Sequence, residues 1–415
     1  MGADLIEDNF SLSHLSTFAA VLKHGRISRA SRQLRRTPSA VSRSIRILEE
    51  KFGRALLVRS QSGVSPTPEG ALVAARCQII QSELWGLRDQ LTQANGARLR
   101  GNAAAFGMHI DVSRLRALIT VHDFGTVQRA SQLLGITQPA VSMSVRHLET
   151  DLGVELFSRA STGMIATPSG VASNLCFKRV LSELRKMRDD VDSFDGAPSG
   201  LVCAGGLAYS RSALLPEAIK RVLASQPKVV VRTVEGPIGA LLAAMHAGEI
   251  DVLICAHPNP ALLKGVEIEP IVRDPMGLFV AENHPLAHRR ALAAREVLRY
   301  PFILPPLGSV TRELLDGVFI EHAGRPPRGS VETSSQSVIR YLLLHSEQIC
   351  FRSNTTFSSE MQPAGIVPLD LGFALPKRRI CLLQRSGVRQ TAVVGDFLEI
   401  VRQVASSYDA GQRAT

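Results

Sequence analysis

The sequence predicts a multidomain chain: two all-α helix-turn-helix units, each trailed by a long helix, and then one α/β domain. Three observations predict it. Shifted by one hundred residues, the chain matches itself without a gap from Leu15 against Leu115 to Gly70 against Gly170, with about 22 of about 56 positions identical. Within each copy, apolar residues recur at helical spacing between stop and start signals placed close together. Beyond about residue 200 the pattern changes, and short apolar runs alternate with helical stretches.

The elements of the first copy follow in order. Leu15, Phe18 and Val21 mark the buried face of a first helix, which Gly25 stops. Ala30 and Leu34 carry the apolar face of a second. A third begins at Thr37 as N-cap, with Pro38 at the first position, where a missing amide costs least, and buries Val41, Ile45 and Leu48. The turn between the paired helices is only Arg35, Arg36 and Thr37. This is helix-turn-helix geometry, in which the later helix can lie in a DNA major groove. Gly53, Leu56, Leu57 and Arg59 then lead through a polar stretch to Thr67 and Pro68, the pattern of a short wing. In the second copy the same heart reads Ala130-Ser131-Gln132-Leu133-Leu134, then Thr137-Gln138-Pro139-Ala140-Val141-Ser142.

After each wing comes a long amphipathic stretch. Residues 68–94 predict a helix of roughly 40 Å at 1.5 Å per residue, with Leu72, Ile80, Leu84, Leu87 and Leu91 as its seam. Residues 168–194 repeat it through Leu181, Leu184, Met187, Val191 and Phe194. Such a seam calls for a partner helix, either a twin in a second subunit or another part of the same chain. The stretch from Gln93 to Gly107 lacks periodicity and, with the nearby Gly86, reads as a flexible linker. A second break falls at Asp195-Gly196-Ala197-Pro198-Ser199-Gly200.

Thr-Pro-Ser-Ala-Val-Ser-Arg-Ser-Ile-Arg-Ile-Leu-Glu-Glu at 37–50, Phe-Gly-Arg-Ala-Leu-Leu-Val-Arg at 52–59 and Thr-Pro-Glu-Gly at 67–70 resemble the winged helix-turn-helix of LysR-type transcriptional regulators. Residues 137–170 resemble it again, with Leu156-Phe157-Ser158-Arg159 and Thr167-Pro168-Ser169-Gly170. Members of that family ordinarily carry one such domain before a ligand-sensing domain, so two is a departure. The resemblance implies that the linker helices pair between subunits, giving a homodimer or homotetramer that acts on promoter or operator DNA with RNA polymerase. It also implies no catalytic role and no cofactor. The expected domains are 10–67 and 110–167 (winged helix-turn-helix), 68–94 and 168–195 (linker helices), 95–109 (flexible linker) and 200–408 (effector domain).

The formal charge of +11 points to an anionic partner, and its distribution is more informative. Residues 15–60 hold about 11 Lys and Arg against 2 Glu, whereas 115–160 hold about 4 of each sign. Arg26, Arg29, Arg32, Arg35, Arg36, Arg43 and Arg46 crowd the first helix-turn-helix, where each neutralised phosphate releases counterions. All of these but Arg26, with Thr37, Pro38, Ser39, Ser42 and Arg59, form the candidate DNA-binding set of the first copy. The second keeps Arg129, Arg146 and Arg159 but has Ile136 for Arg36 and Met143 for Arg43; its helix offers Thr137, Gln138, Ser142, Met143 and Arg146. Two readings of it stand: a second DNA-reading head, or a structural spacer.

From Leu201 the pattern predicts strands at 201–204, 229–234 and 251–255, with helices opening at Leu214 and spanning 238–247. The run from Leu-Leu-Pro to Gly248-Glu249-Ile250-Asp251 is similar to the effector domain of the same family. That likeness implies a two-lobed, periplasmic-binding-protein-like fold, with lobe I at about 200–267 and 365–408 and lobe II at about 268–364. A ligand in such a fold lies between the lobes, where helix starts and hydroxyls meet it. The candidates are Tyr209, Ser210, Ser309, Thr333 and Ser334, each equally readable as a helix cap, with Arg312 or Arg352 as partners for an acid. Residues 304–312 are similar to regulators of sugar and aromatic-acid catabolism, which implies a polar or anionic effector such as a sugar or an aromatic or organic acid.

The rest of the composition excludes other classes. No apolar run reaches the roughly 18 residues of a membrane span, and the acidic N-terminus is unlike a signal peptide, so a cytoplasmic protein is expected. Six cysteines occur without a Cys-x-x-Cys pair, as expected of reduced, buried thiols. His284 and His288 have metal-ligand spacing, but Pro285 between them and the want of a third ligand read as a loop instead. No phosphate loop, nucleophile elbow or paired carboxylates suggest an enzyme, and an architectural protein would have no use for some 200 further residues.

Overall fold

The computed structural model describes residues 10–61, 63–95, 105–160, 163–196, 198–207, 214–355 and 365–413. The chain divides into two compact units, the first holding both copies of the repeat and the second the α/β domain.

In the first copy α1 (Leu12–His24), α2 (Ile27–Gln33) and α3 (Pro38–Phe52) precede a hairpin of β1 (Leu57–Ser60) and β2 (Gly63–Pro66), and then α4 (Pro68–Asn95). In the second, α5 (Val112–Phe124), α6 (Val127–Leu134), α7 (Gln138–Leu152), β3 (Phe157–Ala160), β4 (Gly163–Ala166) and α8 (Pro168–Asp192) repeat the order. The physical reasons are shared. Thr37 and Thr137 accept from Ala40 N (3.2 Å) and Ala140 N (3.4 Å), capping the third helix of each copy. The wing is held on that helix by a carboxylate: Glu49 Oε1 accepts from Leu56 N (2.9 Å) and Leu57 N (3.2 Å), and Glu149 Oε1 from Leu156 N (2.9 Å) and Phe157 N (3.4 Å). Only glycine fits where the long helix passes the wing, because a Cβ on Gly70 or Gly170 would stand 2.0 Å from the Leu56 or Leu156 carbonyl oxygen.

The two copies share one hydrophobic core, and α4 packs directly against α8. Of the two partners the seam allowed, the structure shows the one inside the chain: each linker helix packs on the other. Of the expected α4 seam, Ile80, Leu84, Leu87 and Leu91 are buried, whereas Leu72 is half-buried and Val73 and Cys77 take its place; Phe194 is 45% exposed beyond the end of α8. The expected flexible linker needs a second correction. Residues 96–104 lie outside the described ones, but Ala105–Gly107 forms a 3₁₀ turn with Phe106 buried, and Ser16 Oγ donates to the Gly107 carbonyl (3.1 Å). Gly86 is within α4, not in a turn.

In the second unit, β5 (Gly200–Gly206), β6 (Val229–Val234) and β7 (Val252–Ala256), with α9 (Leu215–Ser225) and α10 (Ile238–His246), make one lobe. The 16-residue β8 (Val266–Ala281) crosses to the other. That lobe holds α11 (Ala294–Val297), β9 (Phe302–Leu304), α12 (Val310–Ala323), β10 (Gly329–Glu332), α13 (Gln336–His345), β11 (Ile349–Ser353) and β12 (Ile366–Pro368). β13 (Lys377–Arg385) returns and α14 (Ala392–Arg413) closes the first lobe. The sheet runs β10-β9-β11-β8-β13-β7-β5-β6, with β12 beside β8. Parallel pairs within each lobe flank the two antiparallel crossing strands. The lobe boundary is corrected too: β12 pairs with the far end of β8, and Leu369 joins the second core, so that lobe keeps residues 365–375. Among the described residues no helix is long and apolar enough to cross a membrane.

Candidate nucleic-acid interface

Capping at Thr37 projects the N-terminal end of α3 from the first head, and exposed side chains ring it. Pro38, Ser39, Arg43 and Arg46 are exposed on the helix, Ser42 is half-buried, and Arg29, Arg32, Arg35 and Arg36 are exposed on the approach. Arg59 is exposed on the wing. Their intrachain contacts are few and long: Arg32 Nε donates to the Ser28 carbonyl at 3.4 Å, and Arg46 meets Glu50 at 3.5 Å with both side chains mostly solvated. Arg36 Nη1 donates to Thr17 Oγ1 (3.2 Å), which ties it to α1. Arg35 takes a left-handed conformation (φ 53°) at the turn, where the second copy has Gly135 (φ 66°). The positive surroundings register on His14, whose pKa is lowered by burial and by Lys51 and Arg36.

The second head has the same backbone frame with a different surface. Thr137, Gln138 and Arg146 are exposed, Ser142 is half-buried and Arg129 is exposed on α6; Arg159 occupies the β3 position paired with Met164. Leu133 (38%), Ile136 (43%) and Met143 (55%) are exposed where the first head has Gln33, Arg36 and Arg43. Leu133 and Glu49 were not among the residues singled out from sequence. For Glu49 the available signal was its identity with Glu149 although the next three residues, Glu50, Lys51 and Phe52, become Thr150, Asp151 and Leu152.

In the effector unit the hydroxyl candidates are used locally. Ser309 caps α12, accepting from Arg312 N (3.2 Å) and donating to the Pro306 carbonyl (2.6 Å); Thr333 Oγ1 accepts from Ser335 N (3.1 Å); Ser334 is exposed. Arg312 is engaged with Asp316 (2.8 Å), Glu332 (3.7 Å) and the Pro305 carbonyl (3.4 Å). Arg352 is half-buried on β11, opposite Gly277. Tyr209 and Ser210 lie outside the described residues. Where the crossing strands meet, sequence reading missed a buried cluster. Asp274 accepts from Ser353 Oγ (2.5 Å) and Arg378 Nη2 (2.6 Å), while Arg378 Nη1 donates to Thr311 Oγ1 (2.9 Å) in the first turn of α12. Burial raises the Asp274 carboxyl above the usual range, although the Arg378 charge and both hydrogen bonds oppose it.

Two other expectations meet geometry. His284 is buried, with Nδ1 accepting from Leu286 N (3.1 Å) and Nε2 facing the Glu347 carbonyl (3.3 Å); burial lowers its pKa. All six cysteines are buried and none forms a disulfide, and burial pushes the thiols of Cys77, Cys255 and Cys350 up to about 12. At neutral pH such thiols are poor nucleophiles.

Comparison with known proteins agrees with this geometry. The model of the bacterial regulatory helix-turn-helix of the LysR family matches twice, at residues 12–71 and 112–171, and that of the LysR substrate binding domain matches 195–406. The HTH-type transcriptional regulator GalR of Pseudomonas putida is 31% identical over 397 residues, covering 95% of this chain and 97% of its own. The uncharacterized HTH-type transcriptional regulator YdcI of Escherichia coli is 27% identical over 266 residues, covering 64% and 86%. Among solved structures, CbnR, a LysR family transcriptional regulator, superposes with a TM-score of 0.54 at 21% identity over 71% of this chain and 99% of its own. With helix-turn-helix, wing, linker helix and two-lobed domain all in place, the chain belongs to the LysR family of DNA-binding transcriptional regulators with an effector-binding domain.

Proposed function

We propose that the first head is the principal operator-gripping element of this regulator, and that a polar or anionic small molecule between the lobes controls it. The observation that carries the first part is the ring of exposed arginines at the capped end of α3. Arg29, Arg32, Arg35 and Arg59 are placed to neutralise phosphates, and Arg43 and Arg46 to reach base edges with Ser39 and Ser42 beside them. CbnR has been solved in complex with its target DNA, which supports the same docking mode here.

The effector reading rests on the start of α12, where the helix N-terminus and Thr311 adjoin the Asp274–Arg378 crossing. Ser309, Thr333 and Ser334 stay in the proposed pocket, Ser309 through its cap and the others through the loop before α13. Arg312, held by Asp316 and Glu332, is set aside as the acid's partner. Occupancy shifts the population of lobe arrangements, and thereby the geometry of promoter-bound protein toward RNA polymerase. The surroundings in which this happens are those of the cytoplasm.

The deciding experiment is retention of the duplex upstream of the protein's own gene as salt is raised. Binding is expected to fall linearly in log–log form with a slope reporting several phosphates. Arg43→Ala is expected to lose about 1–3 kcal/mol of discrimination between operator and random duplex. Absence of any salt-sensitive retention would overturn the reading. Sugars and carboxylic acids screened by thermal shift test the pocket, because a bound effector raises the midpoint.

A further inference from the structure

The contacts between α4 and α8 are reciprocal. Arg76 Nη1 meets Glu183 Oε2 at 2.8 Å, and Cys176 Sγ donates to the Glu83 carbonyl at 3.4 Å. Positions 76 and 176 are the same site of the repeat, as are 83 and 183. Site 76 of each copy therefore meets site 83 of the other, which is the signature of an isologous two-fold contact with the helices antiparallel. Here both halves belong to one chain.

The chemistry across this contact is not symmetric. Arg76 is fully buried and also bonds Asp190 Oδ2 (2.8 Å); burial alone would lower its pKa, but Asp190 and Glu183 hold it above the usual value. Arg179 pairs with Glu83 (3.2 Å). At the equivalent sites the other copy has Cys176 for Arg76, Gln90 for Asp190 and Ile79 for Arg179. Two α8 helices facing each other would offer Glu183 only Arg179 and leave Asp190 on both sides without a cation, and two α4 helices would keep an Arg76–Glu83 pair but lose the contacts of Asp190 and Arg179. Unlike pairing is thus favoured and like pairing penalised. A chain carrying one of each satisfies itself, since the tether gives the second helix a high effective concentration. Arg188 of α8 adds a clasp, donating to the Lys51 carbonyl at the end of α3 (2.8 Å) with its guanidinium over the rings of Phe10 (5.8 Å) and Phe52 (6.0 Å).

We propose that one chain is a complete, asymmetric DNA-reading unit: its two heads, related by the internal two-fold, bind a bipartite inverted operator with unlike halves. The first half presents guanine edges to Arg43 and Arg46. The second presents thymine methyls to Ile136 and Met143, because apolar side chains exposed on a recognition surface recognise the one apolar group of the major groove. This rests on the DNA-binding reading above and deepens it.

The test begins without DNA. Glu83→Cys in the full-length protein puts a thiol opposite Cys176; oxidation, or alkylation of both thiols by a short bis-maleimide, is expected to link positions 83 and 176 within one chain, which runs on a denaturing non-reducing gel as a monomer of altered mobility. A linked dimer, or no link by either route, overturns the proposal. Should that variant fold poorly, the parent protein with a short operator duplex decides by native mass spectrometry: one chain per duplex supports the proposal, and two per duplex overturns it. Replacing thymine by uracil in the second half removes only methyls. It is expected to weaken binding severalfold in the parent and to leave a Met143→Ala, Ile136→Ala variant unmoved; no effect on the parent overturns the assignment of the second half. If the parent retains no duplex at all, the DNA-binding reading fails, while the linkage result still reports the pairing.

Discussion

The two heads are built on one frame and part company at a few exposed positions of their surfaces. Leu15, Val21, Ala30, Val41 and Leu48 are buried in one copy, and Leu115, Val121, Ala130, Val141 and Leu148 in the other. The capping threonines, the wing-holding glutamates and the glycines under the wing coincide as well. Among the positions proposed to face DNA, Arg29, Thr37, Ser42, Arg46 and Arg59 recur as Arg129, Thr137, Ser142, Arg146 and Arg159, but Gln33, Arg36 and Arg43 stand against Leu133, Ile136 and Met143. A scaffold whose backbone bonds and core are satisfied internally leaves its exposed face free to change, since surface substitutions away from such features cost little.

The comparison breaks most readily at its join. Arg76→Leu leaves Glu183 and Asp190 buried without their cation and is expected to destabilise the tandem heads by about 3–5 kcal/mol, read from the denaturant transition of that unit. Adding Glu183→Gln and Asp190→Asn should recover part of the loss; no recovery would mean that packing, not charge, holds the join. Next in size, Gly70→Ala and Gly170→Ala should each cost about 1–3 kcal/mol, and by similar amounts, because both meet a carbonyl oxygen at the same distance. Markedly unequal penalties would show that the two frames are not equivalent. Met143→Arg restores the first head's chemistry to the second, and its salt slope on random duplex should steepen by about one phosphate. The smallest effect is expected from Arg35→Gly: relieving the left-handed turn should stabilise the first head by about 0.5–1 kcal/mol while weakening DNA retention. A melting temperature that falls instead would show that Arg35 holds the turn through its side chain.

What was legible in the sequence is what depends on neighbours in the chain. Thr37, Pro38 and Gly25 announce helix ends because capping is local, and Leu201 to Ala204 announces a strand because its run of apolar residues is short and bounded. Arg76 was silent, since an arginine on an amphipathic helix reads as solvated until Glu183 and Asp190 arrive from the other copy. Asp274 and Arg378 were silent for the same reason. The seam of α4 was right at Ile80, Leu84, Leu87 and Leu91 and wrong at its start, because Val73 and Cys77 carry weaker apolar signals than Leu72. Ser309 and Thr333 were correctly seen as hydroxyls at helix starts, yet the bonds they make are to their own loops.

The substitution of Cys176 for arginine at the site that Arg76 fills has a bearing on how a promoter is read. A pair of identical readers cannot distinguish a binding sequence from its reverse complement, so its orientation on the chromosome is set by other contacts. Unlike readers fused into one polypeptide have a front and a back. On any site that they occupy together, they point toward one gene and away from its neighbour.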